Sequence, residues 1–240
     1  MNKRNVNIVV PKLNFEIKES INMLRGNIQM AGRDVQAVAF TSSHEDEGKS
    51  YISFLLADSL SALEKKVVFL DCDIRNSKIK ADYGVTEKTV GLSEYLCGYI
   101  EADEMVYHTD NPYLDVIFSG AKSPNPSELL SGEQFKTLID SLRKKYDYVI
   151  LDTPPSNLVV DATLIAQHCD ATIIVVECAA TDRRDAIYVK NKLESFGIKI
   201  MGVVMNKTSD SKGRYGKYGK YGYGRYGYGK YGYGDEDQVK

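Results

Sequence analysis

The sequence predicts an α/β protein built on a single doubly wound, mostly parallel sheet, and two observations carry that prediction. Short apolar runs such as Val67–Leu70, Val149–Leu151 and Ile173–Val176 read without polar alternation, as strands covered on both faces do. Between them lie stretches with apolar residues three and four apart, the period of a helix packed along one side. Strand and helix in alternation give a parallel sheet with helices on both faces, and ligands of such folds bind at the carboxyl ends of the strands.

The elements follow in order. Ile17, Ile21, Leu24 and Ile28 fall on one stripe, which predicts a helix over Phe15–Met30. Gln36–Thr41 is a strand running into a Ser-rich turn, and a helix begins at Lys49 and continues to about Leu63. Lys65–Leu70 is the next strand, ending in Asp71. Ile74–His108 is mixed, with short helices expected at Leu92–Leu96 and Asp103–Tyr107. Leu114–Phe118 is a strand, Gly132–Lys145 a helix, and Tyr148–Leu151 a strand stopped by Pro154 and Pro155. A helix near Ala162–His168, a strand over Thr172–Val176, a helix over Arg183–Phe196 and a strand over Ile200–Met205 complete the body.

Composition excludes several classes. The 240 residues are 43% apolar and 27% charged, ordinary for a globular chain with a real core. No apolar run approaches a membrane span, and Met1–Val10 has no signal-peptide layout. Cys72, Cys97, Cys169 and Cys178 form no C-x-x-C pair, which predicts free thiols in a reducing cytosol. One segment departs from the average. Gly213–Gly234 holds nine Gly, eight Tyr, three Lys and two Arg, with no aliphatic residue to build a core. It reads as a disordered basic tail carrying +5, whereas residues 1–212 hold 25 basic and 30 acidic side chains, −5. A loose glycine-rich segment of roughly twenty residues has a mean span of about 25 Å, comparable with a subunit radius.

Three strand ends carry chemistry. Ser42–Ser50 joins a strand to a helix and ends in Gly48-Lys49-Ser50. Phosphates need backbone N–H groups at a helix start, a lysine for the outer oxygens and a hydroxyl for Mg²⁺. The position five residues before Gly48, usually glycine in such loops, is Ser43. Glu45, Asp46 and Glu47 must point away from a polyanion bound there. Val67–Leu70 ends in Asp71-Cys72-Asp73-Ile74-Arg75, two carboxylates that can divide metal binding from proton acceptance. Val149–Leu151 ends in Asp152, as metal-holding aspartates of phosphate-binding loops do. A strand-terminal aspartate alone is as readily a helix cap. Three such ends on one sheet predict a Mg-nucleotide site.

On these residues the chain resembles the bacterial tyrosine kinases of capsule and exopolysaccharide systems, P-loop proteins unrelated to eukaryotic kinases. Gly48-Lys49-Ser50 matches their nucleotide loop, Asp71-x-Asp73-x-Arg75 and Asp152-x-x-Pro155 their two aspartate motifs, and the tail their tyrosine cluster. Pro124–Leu130 matches their N-P-S-E-L segment. The resemblance implies a P-loop kinase domain over 35–208, preceded by a self-association segment at 1–34 and followed by the tyrosine tail at 209–240. It implies ATP and Mg²⁺ as cofactors, with nucleotide contacts from Ser43, Glu47, Gly48, Lys49, Ser50, Tyr51 and, at the adenine, Asn206. Mg²⁺ would be held by Ser50, Asp73 and Asp152; Asp71 would be the base and Arg75 would steady the site. The phosphate acceptors would be Tyr215, Tyr218, Tyr221, Tyr223, Tyr226, Tyr228, Tyr231 and Tyr233. Also implied are a membrane-anchored activator on a separate chain, a homo-oligomer when activated, a cognate tyrosine phosphatase, and a cytoplasmic location at the inner membrane face. The family's E-x-x-R-x-x-R self-association motif reads here as Glu19 to Arg25, with Asn22 at the first arginine.

Two other readings stand against this one. A partitioning-type ATPase would share the sheet but carries an extra lysine five residues before Lys49, where this chain has His44. A basic, aromatic tail can stack on single-stranded nucleic acid, yet +5 followed by Asp235, Glu236 and Asp237 is a modest field, so no nucleic-acid partner is expected. His108 and His168 have no spacing for metal, and Tyr146 and Tyr148 read as packing residues.

Overall fold

The computed structural model describes residues 4–32 and 34–208, so the eight tail tyrosines lie outside the described residues. The elements are α1 (Phe15–Met30), β1 (Ala37–Ser42), α2 (Lys49–Ser61), β2 (Val67–Asp71), α3 (Ile79–Asp82), α4 (Leu92–Leu96), β3 (Val106–His108) and β4 (Leu114–Ile117). They continue with α5 (Pro126–Ser131), α6 (Glu133–Lys145), β5 (Tyr148–Asp152), α7 (Asp161–Ala166), β6 (Ala171–Glu177), α8 (Arg183–Ser195) and β7 (Ile200–Asn206). The strands form one sheet in the order β3-β4-β2-β5-β1-β6-β7, parallel except for β3.

The apolar runs are buried because the sheet is covered twice. Val67 and Phe69 face one side, where Phe54, Leu55, Leu56 and Leu60 of α2 meet Ile21 and Ile28 of α1. Val68 and Leu70 face the other, against Leu130 of α5 and Phe135, Leu138, Ile139 and Leu142 of α6. A smaller cluster joins Ala39, Ile174 and Val176 to Val189 and Leu193 of α8. Arg25 of α1 donates from Nη1 to the Ser59 carbonyl at 2.9 Å and its Oγ at 2.8 Å, which fixes α1 to α2. Asn22 instead donates to Glu19 within the same helix. No helix among the described residues is long and apolar enough to cross a membrane, and the four cysteines are unpaired.

The region expected to be helical at Asp103–Tyr107 is a single 3-10 turn at Ala102–Glu104 followed by β3. Met105 to Tyr107 is too short a run for periodicity to choose between helix and strand. The free edge of β4 decides: Tyr107 is buried with its ring 5.4 Å from Phe118, and β3 pairs antiparallel through Tyr107↔Val116. The N-terminal segment runs along β3 in turn, with Val6 N–H donating to the His108 carbonyl at 3.0 Å.

Candidate active site

The strand order sets β2, β5 and β1 side by side, so the three motif-bearing carboxyl ends share one rim. Asp71 is in register with Asp152, and Phe40 with Asp152 on the other side. A cavity of about 160 Å³ opens there, lined by Gly48, Lys49, Ser50, Tyr51, Asp73 and Asp152 among others.

The loop before α2 is shaped from within. Gly48 sits at φ 91, a backbone conformation that strains any residue with a β-carbon, and its neighbour there is the Asn206 amide. Glu47 is buried, and its Oε2 accepts from the N–H groups of Ser43 at 2.7 Å and His44 at 3.0 Å. Its Oε1 is hydrogen-bonded to Thr181. The carboxylate thus braces the loop from behind, turned away from the cavity as a polyanion site requires. Asn206 Nδ2 donates to the Glu47 carbonyl at 3.0 Å, and Ser43 is fully buried. Glu47 and Asn206 therefore hold the loop from behind, Ser43 is buried within it, and none of the three lines the cavity. Glu45 and Asp46 depart from the expectation that the loop's acids point away, since both line the cavity; Asp46 is paired with Lys78 at 2.8 Å, which holds its carboxyl below the usual range, and Lys207 Nζ donates to its carbonyl at 2.8 Å. His44 Nε2 meets Asp185 at 2.8 Å on the half-exposed surface.

The facing wall is acidic. Asp152 is buried and its Oδ1 has no hydrogen-bond partner. Burial pushes its carboxyl up to about 6 against the opposing pull of Lys49 and the Ser50 hydroxyl. Asp73, 7% exposed, accepts from Asn76 N–H at 2.9 Å. Asp71 is fully buried and does not line the cavity; Ser77, which does, donates its hydroxyl to Oδ2, while Asp73 N–H donates to Oδ1 at 3.1 Å. Burial first, and then the charge of Asp152, push the Asp71 carboxyl up to about 7. Arg75 turns away from the cavity and forks onto Asp161, Nε to Oδ2 at 2.6 Å and Nη2 to Oδ1 at 3.1 Å.

The donor set fits a magnesium-bound nucleotide. An unpartnered buried carboxylate oxygen on Asp152, a second carboxylate on Asp73 and the Ser50 hydroxyl are hard oxygen ligands suited to Mg²⁺. Lys49 and the N-terminus of the thirteen-residue α2 supply positive charge for phosphates. Sequence reading missed Asn76, Ser77, Lys78 and Asp82, which complete the wall after Asp73. Their nearness to the Asp-x-Asp motif was the available signal, but no spacing rule marks them.

A family model described as an AAA domain matches residues 35–187. The tyrosine-protein kinase CpsD of Streptococcus agalactiae is 38% identical over 205 residues, 85% of this chain and 90% of that one. The kinase domain of the Escherichia coli tyrosine kinase Etk superposes with a TM-score of 0.76 at 25% identity, covering 93% of this chain and 95% of that domain. The chimerical protein CapA2B2 gives a TM-score of 0.76 at 30% identity, over 84% of this chain and 92% of that one. With matching motifs, a matching fold and relatives aligned over nearly their whole length, the chain belongs to the P-loop family of bacterial tyrosine-protein kinases.

Proposed function

We propose that this chain transfers the γ-phosphoryl group of ATP to tyrosines of its own C-terminal cluster, one subunit acting on another, and thereby regulates capsular or exopolysaccharide synthesis and export. The observation that supports this most is the shared rim: Lys49, Ser50, Asp73 and Asp152 converge on one cavity in a chain that also carries eight tail tyrosines. Bound Mg²⁺ would neutralise charge on the phosphates. Lys49 would orient the outer phosphate oxygens, Ser50, Asp73 and Asp152 would hold the metal, and the braced loop would fix the backbone donors. Ser77 lines the cavity and donates to the buried Asp71, so the phenol proton would move in relay: the Ser77 hydroxyl passes its own proton to the carboxylate and accepts that of the acceptor. Arg75 acts at one remove, by holding the loop that carries Asp73.

The reading extends to partners. A membrane-anchored activator on a separate chain would gather subunits at the inner face of the cell membrane, and a tyrosine phosphatase would reset them. The test mixes a Lys49→Met chain bearing an intact tail with an unsubstituted chain lacking residues after Lys212, in the presence of ATP, Mg²⁺ and the activator's cytoplasmic segment. Phosphate on the intact tail is expected. Its absence, when the unsubstituted full chain labels itself, would rule out transfer between subunits.

A further inference from the structure

We propose that Asp161 and Ser127 are positioning residues for the nucleotide cavity: they hold Arg75, and through it the wall formed by residues 73–78. The inference rests on the nucleotide-site reading above. Asp161 begins α7 and is 1% exposed; Ser127 is the second residue of α5, within the N-P-S-E-L segment, to which nothing above gives a task. Asp161 Oδ1 accepts from Ser127 Oγ at 2.6 Å as well as from Arg75 Nη2, while Oδ2 accepts from Arg75 Nε. Ser127 Oγ in turn accepts from Arg75 Nη2 at 3.0 Å. One closed triangle therefore ties together three segments far apart in sequence: the loop after β2, the start of α5 and the start of α7.

None of the three side chains lines the cavity, yet Asp73, Asn76, Ser77 and Lys78, on either side of Arg75, all do. The link is short. Asn76 N–H donates to Asp73 Oδ1, so the backbone around Arg75 closes on the Asp73 carboxylate itself. A buried carboxylate stripped of its cation is strongly unfavourable, which favours the half-exposed Arg75 staying on Asp161. A planar fork fixes rotation as well as distance, which a single ammonium would not. The hydroxyl of Ser127 donates to one partner and accepts from the other, a pairing open to Ser or Thr and closed to Ala.

The experiment uses the full chain with Asp161→Asn, Ser127→Ala or Ser127→Thr. One readout is amide hydrogen exchange over residues 71–78 without nucleotide; the other is the Mg²⁺ concentration that half-saturates binding of a fluorescent ATP analogue. Asp161→Asn should speed exchange in that segment and raise the Mg²⁺ requirement about tenfold, the low end for outer-shell partners of a metal site, with metal-free nucleotide binding changed less than about twofold. Ser127→Ala should move both readouts the same way, and Ser127→Thr should restore them. Exchange that rises evenly over the whole sheet, with an unchanged Mg²⁺ requirement, would make the triangle a stability feature and overturn the proposal. Should Asp161→Asn fail to fold, the Ser127 pair decides alone. Neither readout requires phosphate transfer, so missing phosphotyrosine in the unsubstituted chain would count against the kinase reading by itself.

Discussion

Asp71 carries the largest carboxyl shift among the motif residues, up to about 7, and burial is the main cause. Its folded pKa lies above the unfolded value of about 4, so the folded chain binds a proton that the unfolded chain releases between those values. The resulting stability is fully present below the unfolded pKa and is lost as pH rises through the folded one. Asp152, pushed up to about 6, adds to the same trend. The nucleotide-free protein should therefore melt at lower temperature at pH 8 than at pH 5, and Asp71→Asn should raise the pH 8 midpoint in calorimetry. An unaltered pH 8 midpoint in that variant would contradict the burial argument. At the opposite rim, Asp46 holds φ 61 and places a carboxylate beside the cavity. Asp46→Gly relieves that backbone and removes the like charge; nucleotide affinity should rise about twofold to fivefold, in line with exposed-pair energies, and the gain should shrink in high salt. Equal affinities for both proteins at low salt would refute this.

At the scale of elements, α1 is held by its buried stripe. Ile28 is fully buried and Ile21 nearly so, while Arg25 reaches the carbonyl and hydroxyl of Ser59 on α2. Ile28→Ala should destabilise the chain by about 2–4 kcal/mol in denaturant unfolding, the range for a large-to-small core substitution. A change below 1 kcal/mol would mean that α1 peels from α2 at little loss. The stripe of Ile17, Ile21, Leu24 and Ile28 made this helix legible to its ends, Phe15 and Met30. The central strands were legible for a related reason: doubly covered strands have no polar face to break the run. What escaped was decided by tertiary contact. β3 exists because β4 has a free edge, and α5 and α3 are too short to show a period. The carboxylates at the strand ends could be read, whereas Ser77 over Asp71 and Asp161 beneath Arg75 could not, since each pairing spans a turn or a crossover that no local pattern encodes.

For the whole molecule, the central quantity is charge. Residues 1–212 carry −5 and the glycine-tyrosine segment +5. Each phosphotyrosine adds about −1.5 to −2 at pH 7, so full modification would carry the segment to roughly −7 to −11. Subunits gathered by an activator should then repel one another, and light scattering with the activator's cytoplasmic segment should record a lower molar mass after autophosphorylation. An unchanged mass with most tail tyrosines modified would exclude this switch. All of this depends on the cavity around Lys49 being the source of the phosphate. Lys49 is half-buried at the cavity wall and, among the described residues, its Nζ donates one hydrogen bond, to Ser50 Oγ at 3.3 Å, so Lys49→Met removes a cation from the cavity without opening the core. The most direct measurement is tail phosphotyrosine, quantified by mass spectrometry after purified Lys49→Met and unsubstituted chains are incubated with ATP, Mg²⁺ and the activator segment. The account predicts modified tail tyrosines in the unsubstituted chain and none in the folded Lys49→Met chain; equal phosphotyrosine in both would contradict it.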